Sequence, residues 1–310
     1  MGRTELTVLV TGGTSGIGRA VAEALATKGC TVLATGRNPD HLEPAERIPG
    51  VRYLRLDLAD PAGPDSLAEE LGDLGLLDSI DVLVNNAGES QSGPFEELPA
   101  EAIERLFRTN VFGPVRLSQL VLPGMRARRR GRIIMVGSML ASFPLAHRSS
   151  YSAAKAALRA FATAARQELS PFGVWVSTVE PGSIATGIGL RRTKYLEEGS
   201  PYTQDVTTML EHLDANERGG IPAEKVAATI VDAIVAPRPR EFYAVGCRAP
   251  LPFLLKRALP RELVSKIVAA QHGLKRLAHP PMAAECATEV RLKHGPSAAR
   301  PQPPIAAETG

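Results

Sequence analysis

The sequence predicts an α/β fold in which helices cover both faces of a doubly wound parallel sheet. Strand-length apolar runs alternate with segments of helical apolar spacing, and most strand runs are apolar nearly throughout. Strands of that kind are buried on both faces, as in a parallel sheet between two helical layers. A chain of 310 residues with 44% hydrophobic and 22% charged residues is large enough to form one such core.

The predicted strands alternate with helices along the first half of the chain. The strand segments are LTVLVTG (6–12), CTVLATG (30–36), VRYLRLD (51–57), IDVLVNNAG (80–88), GRIIMVGS (131–138) and VWVSTVEPG (174–182). Helical spacing covers residues 17–28, 64–77, 100–128 and 152–170. Right-handed crossovers bring the carboxyl ends of parallel strands to one edge of the sheet, where such folds bind ligands.

The alternation changes beyond residue 185. Residues 187–220 form a long polar stretch, which we interpret as an active-site lid, and a helix over 223–235 and a last strand over 241–246 follow. We expect a single domain with a C-terminal helical extension. The predicted parts are a catalytic domain over 1–246, an amphipathic extension over 247–277 that Pro260 interrupts, and a disordered Pro- and Ala-rich tail over 278–310.

Composition and charge indicate a cytoplasmic protein. The formal charge of +3, from 36 basic and 33 acidic residues, gives no reason to expect a nucleic-acid partner, and RARRRGR (126–132) is interpreted as a solvated turn. Cys30, Cys247 and Cys286 lack paired spacing, so we expect thiols in a reducing compartment. We find no signal-peptide pattern, no apolar run of bilayer-spanning length and no metal-ligand spacing among the six histidines. No bound metal is expected.

A glycine-rich turn joins the first predicted strand to the first helix. Its spacing is Thr11-Gly12-xxx-Gly16-x-Gly18. Without side chains, the turn lets a phosphate reach backbone N–H groups, and the helix N-terminus adds partial positive charge. The alternative is an ordinary glycine-rich strand-to-helix turn. The position between a strand and a helix favours a phosphate-binding turn.

Five motifs in this order resemble the short-chain dehydrogenase/reductase (SDR) family. They are TGxxxGIG from residue 11, LDLAD (56–60), NNAG (85–88), YSAAK (151–155) and PGSIAT (181–186), and the resemblance covers residues 6 to about 245. It implies a Rossmann-like domain, a nicotinamide cofactor, and reversible oxidation of alcohols to ketones or aldehydes.

The resemblance also implies which residues bind the cofactor. The glycines of the turn would face its phosphates, Asp57 and Leu58 would meet the adenine ring, and the NNAG segment would shape the crevice. The full set is Gly12, Ser15, Gly16, Ile17, Gly18, Arg37, Asp57, Leu58, Asn85, Ala87, Gly88, Tyr151, Lys155, Pro181, Gly182, Ile184 and Thr186.

The end of the second strand bears on the choice between NAD and NADP. An acidic residue there would bind the ribose hydroxyls and repel a 2′-phosphate, but this chain has Gly36 followed by Arg37. A guanidinium can bind the phosphate with charge-assisted hydrogen bonds. We therefore expect NADP(H) to be favoured over NAD(H), with an unrelated surface arginine as the alternative.

Four residues match the catalytic set of the family. Tyr151 and Lys155 are four residues apart and share one face of a helix, where the ammonium favours the tyrosine phenolate. Ser138 lies 13 residues before Tyr151, and its hydroxyl can hold the substrate oxygen while Tyr151 exchanges the proton. By resemblance, Asn110 stabilises a helix kink and a water path to Lys155.

The predicted substrate is a small apolar alcohol or carbonyl compound. Residues 139–145 are largely apolar, and the lid adds Ile184, Ile188, Leu190, Tyr195 and Leu196. The extension resembles those of SDR members that act on steroids, retinoids and other lipids. Two alternatives are a ketoreductase of polyketide or fatty-acyl metabolism and a non-catalytic NADP(H)-binding regulator.

Two expectations concern larger partners. Relatives associate through helices that correspond to 100–128 and 152–170, so we expect a homodimer or homotetramer. Residues 249–277 combine an apolar face with basic residues, which fits a helix packed over the substrate cleft or one lying on a membrane surface.

Overall fold

The fold is built on a parallel sheet. A computed structural model describes residues 6–247, 249 and 251–274, all of which belong to one compact unit; the predicted tail over 278–310 lies outside this part of the chain. The sheet strands are β1 (Thr7–Val10), β2 (Thr31–Gly36), β3 (Val51–Arg55), β4 (Val82–Asn85), β6 (Gly131–Val136), β7 (Val174–Pro181) and β9 (Phe242–Val245). Two short strands, β5 (Gln91–Ser92) and β8 (Thr193–Lys194), pair separately.

The sheet order is β3-β2-β1-β4-β6-β7-β9, and every pair is parallel. The chain therefore runs outward in one direction from β1 to β3 and then returns to the other side of β1 with β4. This reversal opens a crevice beyond the carboxyl ends of β1 and β4. The prediction of a doubly wound, Rossmann-like α/β fold is confirmed.

Helices cover the sheet on both faces. They are α1 (Gly16–Ala26), α2 (Gly63–Asp73), α3 (Ala100–Phe107), α4 (Gly113–Ala127), α5 (Ser149–Leu169), α6 (Thr203–Arg218), α7 (Ala223–Val235), α8 (Leu251–Ala258) and α9 (Arg261–Gln271). Alternate residues of β1 enter different cores: Val8 and Val10 pack with α1 and α7, whereas Leu9 packs with α2, α4 and α5. This division explains why the strand is apolar throughout.

Helix α6 occupies much of the stretch that we interpreted only as a polar lid. Its buried residues are Val206, Met209 and Leu213, which lie on one narrow stripe while the rest of the helix is largely polar. Such a stripe gives a weak apolar pattern in sequence, so the helix was missed. Helices α8 and α9 lie on either side of Pro260 within the predicted extension.

None of the helices in the described residues combines the length and apolarity needed to cross a bilayer. Across the same residues, no three His, Cys, Asp or Glu side chains are grouped as ligands for a metal ion.

Candidate active site

The glycine-rich turn lies at the crevice between β1 and β4. Gly12 and Gly16 have φ values of +66° and +54°, a conformation that residues with side chains rarely adopt. The hydroxyl of Thr11 accepts hydrogen bonds from the backbone N–H groups of Asn86 and Ala87, each at 3.0 Å. The turn and the NNAG segment are therefore held together across the reversal point.

Gly18 has a different role from the one predicted. A Cβ atom at this residue would lie 2.3 Å from the carbonyl oxygen of Gly12 and 2.4 Å from Nδ2 of Asn86. The residue packs the start of α1 against the turn, and it is absent from the cavity wall described next. The missing side chain of Gly18 therefore makes room for protein backbone, and the structure shows no contact of this residue with the cavity.

A cavity of about 1160 Å³ opens at the carboxyl edge of the sheet. Its wall brings together Ser138 and most of the residues predicted to bind the cofactor: Gly12, Ser15, Gly16, Ile17, Arg37, Asp57, Leu58, Ala87, Gly88, Tyr151, Lys155, Pro181, Gly182, Ile184 and Thr186. Parallel strands produce this convergence because each delivers its following loop to the same edge.

Asn85 does not line the cavity. Its side-chain amide donates to the carbonyl oxygen of Pro114 at 3.3 Å and to Oγ of Ser118 at 3.1 Å, so it faces helix α4. The residue that lines the cavity in its place is Asn86, which we did not predict. Because successive side chains of a strand point to opposite faces, a motif match alone did not show which asparagine faces the crevice.

Helix α5 carries Tyr151 and Lys155 on its cavity side. Tyr151 is 8% exposed and Lys155 is 5% exposed. The Lys155 ammonium donates to the carbonyl oxygen of Val136 at 2.9 Å and lies 5.9 Å from the centre of the Tyr151 ring. Val136 ends strand β6, so this bond fixes the helix to the sheet edge. The remaining N–H groups of the ammonium can serve a ligand.

Ser138 follows the same strand and caps a short 3₁₀ turn over Met139–Ala141. Its hydroxyl oxygen accepts a hydrogen bond from the backbone N–H of Leu140 at 3.2 Å. That bond uses one lone pair of the oxygen and leaves the hydroxyl proton able to donate to an oxygen in the cavity.

Asn110 lies behind the cavity wall and is fully buried. Its side chain accepts from the backbone N–H of Glu89 at 2.8 Å and donates to the carbonyl oxygen of Glu89 at 2.9 Å. The residue belongs to a π-helical turn, Arg108–Phe112, that joins α3 to α4. A Cβ atom on Gly88 would lie 3.0 Å from Oδ1 of Asn110 and 3.6 Å from the ammonium of Lys155, so these polar groups converge at Gly88.

Several charged residues of the cavity wall were not predicted, among them Arg191, Arg148 and Glu217. Arg191 donates from Nη1 to the hydroxyl of Ser15 at 3.1 Å, which links the lid to the glycine turn. Arg148 is 3% exposed, and burial lowers the pKa of its guanidinium to about 10. Burial raises the pKa of Glu217, whose carboxylate pairs with Arg192. These polar residues carry no periodic signal in the sequence.

The other end of the cavity is mostly apolar, with Lys256, Gln271 and His272 as polar members of its wall. Among the residues predicted to border the substrate, Leu140, Phe143, Ile184 and Ile188 line the wall, together with Met139. The structure does not place Leu190, Tyr195 or Leu196 in the wall, and Leu190 is 94% exposed. Helices α8 and α9 complete this end with Leu251, Leu255, Val264, Ile267 and Val268.

The sheet, the glycine turn and the Ser138, Tyr151 and Lys155 set define a dinucleotide-dependent oxidoreductase. A family model for short chain dehydrogenases matches residues 6–195. Dehydrogenase/reductase SDR family member 7B of Bos taurus is 35% identical over 213 residues, which cover 65% of this chain and 64% of the bovine protein. A 3-ketodihydrosphingosine reductase of Bacteroides thetaiotaomicron is 30% identical over 234 residues, covering 75% of this chain and 84% of that protein.

Solved structures have the same fold. A short-chain dehydrogenase from Streptomyces avermitilis has a TM-score of 0.73 and 33% identity, and the match covers 89% of this chain and 99% of that one. The closed form of a serine dehydrogenase complexed with NADP+ has a TM-score of 0.66 and 27% identity, covering 78% of this chain and 94% of that one. The chain belongs to the short-chain dehydrogenase/reductase family and is an NAD(P)-dependent oxidoreductase.

Proposed function

We propose that the protein interconverts an apolar alcohol and its ketone or aldehyde, with NADP(H) as the favoured cofactor. The observation that supports this most directly is that Ser138, Tyr151 and Lys155 line the same cavity as the glycine turn. A regulator that only binds the cofactor has no need of these three groups in one cavity, which favours the enzyme over the regulator.

The glycine turn fits a dinucleotide. Gly12 and Gly16 adopt positive φ, and a Cβ atom at Gly16 would lie 3.3 Å from Thr186, in the space where the turn meets the start of the lid. The first backbone N–H groups of α1 are directed toward this end of the cavity by the helix geometry. When bound, the nicotinamide supplies or accepts the hydride.

Ser138, Tyr151 and Lys155 have different roles in the proton transfer. In alcohol oxidation, the Ser138 hydroxyl donates a hydrogen bond to the substrate oxygen, and the Tyr151 phenolate takes the hydroxyl proton of the substrate. In carbonyl reduction, the Tyr151 hydroxyl returns that proton to the oxygen. Lys155 is held between Val136 and the Tyr151 ring, so its positive charge favours the phenolate in both directions.

Two arginines support the preference for NADP(H). Arg37 follows β2 in the cavity wall, and a Cβ atom at Gly36 would lie 2.6 Å from Cγ2 of Thr14, which disfavours an acidic side chain at residue 36. Arg191 reaches Ser15 from the lid and brings a second guanidinium to the turn. Both can pair with a phosphate.

The apolar end of the cavity supports a lipid-like substrate. Leu255 and Val268 approach it from the C-terminal helices, and Phe143 approaches it from the segment after β6. The similarity to a bacterial 3-ketodihydrosphingosine reductase is consistent with a long-chain carbonyl compound. We also propose that the protein acts in the cytoplasm.

The central test is Tyr151→Phe, assayed with NADPH across apolar ketones. Turnover should fall to less than a tenth of the wild-type value, while the affinity for NADPH stays nearly unchanged, because one oxygen is removed far from the turn. Tyr53→Phe is the control, since the Tyr53 hydroxyl lies away from the cavity wall and accepts a hydrogen bond from the backbone N–H of Ile48. Retained turnover in Tyr151→Phe would refute the proton-transfer role.

A matched pair on α8 tests the substrate class. Leu255 lines the cavity, whereas Leu254 lies outside the wall; the two side chains are similarly exposed, at 48% and 58%. Leu255→Asp should raise KM about tenfold for long-chain substrates and less for small ketones, because a charge is placed against the apolar wall. Leu254→Asp should leave both KM values unchanged. Equal effects of the two variants would argue against the apolar site.

A further inference from the structure

Arg148 joins the start of helix α5 to the segment that follows β4. The residue is 3% exposed and lies in the cavity wall. Its Nη1 atom donates to Oγ of Ser90 at 3.0 Å, to the carbonyl oxygen of Gln91 at 3.0 Å and to Oγ of Ser92 at 3.1 Å. All three acceptors are neutral, so none of these bonds neutralises the guanidinium charge.

The same guanidinium lies over the ring of Tyr151. Its Cζ atom is 4.3 Å from the ring centre, closer than the Lys155 ammonium at 5.9 Å. A cation over an aromatic face is attracted to it, and the attraction increases when the ring carries the negative charge of a phenolate. Tyr151 therefore has two buried cations beside it.

The other charged groups around Arg148 are largely paired with one another. Arg192 forms ion pairs with Asp214, at 2.7 Å, and with Glu217. His272, after α9, faces the same region, and burial lowers the pKa of its imidazole, so it is neutral near pH 7. The Nε atom of Arg148 is buried and has no hydrogen-bond partner among the residues that the structure describes. Burial lowers the pKa of Arg148 only to about 10, so its charge persists at neutral pH.

We propose that Arg148 is a positioning residue for the acid–base step, which fixes the Tyr151 ring and stabilises its phenolate electrostatically. The inference rests on the proposed role of Tyr151. Arg148 exchanges no proton itself: in alcohol oxidation the substrate proton moves to the Tyr151 oxygen, and the guanidinium remains charged throughout.

The test compares Arg148→Met with Arg148→Lys in alcohol oxidation over a range of pH. Removing the charge should shift the acidic limb of the pH profile of kcat/KM to higher pH by about one unit, because the phenolate loses a stabilising cation. The rate of oxidation at pH 7 should fall about tenfold. Arg148→Lys should move the limb less, since it keeps the charge. NADP+ affinity should change less than twofold in both variants.

Two controls separate electrostatics from packing. Arg166→Met removes another α5 arginine that stacks on an aromatic ring, that of Trp175 at 4.8 Å, and should leave the limb in place. Ser92→Ala removes one bond to Arg148 but keeps its charge, so it should also leave the limb in place. If Arg148→Met fails to fold, Arg148→Gln, which removes the charge but keeps a polar side chain, takes its place, and an unmoved limb in that variant would overturn the inference.

The inference is overturned if Arg148→Met is destabilised while its limb coincides with that of the wild type, or if Ser92→Ala moves the limb as far as Arg148→Met does. Tyr151→Phe separates the role of Arg148 from the proposed function. An inactive Tyr151→Phe together with an unmoved limb in Arg148→Met rejects the role of Arg148 alone, whereas an active Tyr151→Phe rejects the proposed function.

Discussion

Gly18→Ala tests whether the third glycine of the turn serves packing or cofactor contact. Both Gly18 and Gly72 lie inside helices, α1 and α2, where alanine is intrinsically favoured over glycine by about 1 kcal/mol. Helix propensity alone therefore predicts that alanine stabilises either helix. The surroundings differ: no atom of the described residues outside its own helix lies within 4 Å of a Cβ atom at Gly72, whereas a Cβ at Gly18 would be 2.3 Å from the Gly12 carbonyl oxygen.

The contact at Gly18 outweighs the gain in propensity. The Gly12 carbonyl would have to move by about 1 Å to restore van der Waals contact, and Asn86, which donates to this carbonyl at 3.3 Å, would have to move with it. Overpacking of a rigid site costs about 1–3 kcal/mol. We expect Gly18→Ala to lower the free energy of unfolding by that amount, and Gly72→Ala to raise it by about 0.5–1 kcal/mol.

The assay is denaturant unfolding of both variants without cofactor, followed by titration with NADPH. A packing role predicts that Gly18→Ala loses stability in the absence of cofactor, and that affinity also falls because the turn is displaced. A contact role predicts normal stability without cofactor and loss of affinity alone. The second result would refute our assignment of Gly18 to the junction between turn and helix.

Three further predictions concern the cofactor and the assembly. Arg37→Asp should weaken NADPH binding at least tenfold relative to NADH, measured by titration of both cofactors with Arg52→Asp on β3 as a control; a wild type that prefers NADH would contradict the assignment. Lys155→Ala should reduce both kcat and NADPH affinity, and unchanged affinity would exclude a cofactor role. Light scattering should show a dimer or tetramer, and Phe161→Asp should weaken the association because the Phe161 side chain on α5 is 48% exposed. A wild-type particle of 33 kDa at micromolar concentration would refute the expected oligomer.

The sheet and the site edge were predictable because their signals are local. A strand such as β1, buried on both faces, has to be apolar at every position, and the helices between strands have to present apolar stripes. Once the strands are known to be parallel, their following loops meet at one edge. The convergence of residues 12, 14–17, 86–88 and 138 at one cavity therefore follows from topology.

The roles of individual site residues were harder to predict, because the sequence does not specify which way each side chain faces. Asn85 and Asn86 are adjacent in one motif, yet one faces α4 and the other the cavity. Gly18 belongs to the glycine motif, yet its missing side chain accommodates the Gly12 carbonyl. Arg148 and Arg192 are buried by contacts with residues distant in the chain, such as Ser90 and Glu217, and an arginine among polar neighbours gives no sign of burial in a sequence.

The C-terminal helices illustrate how one pattern can satisfy two interpretations. We considered a helix over the cleft and a helix on a membrane surface as alternatives because both require an apolar face beside basic residues. In the structure Val268 and Ala269 are buried, and Val268 packs with Leu145 and Met209, while Leu254 remains 58% exposed. The inward face of helices α8 and α9 therefore lines the cavity, while apolar residues on their outward face remain exposed for contact with a membrane. Packing over the cleft uses the inward residues of these helices, and membrane contact would use the outward ones. Packing over the cleft is therefore compatible with membrane contact.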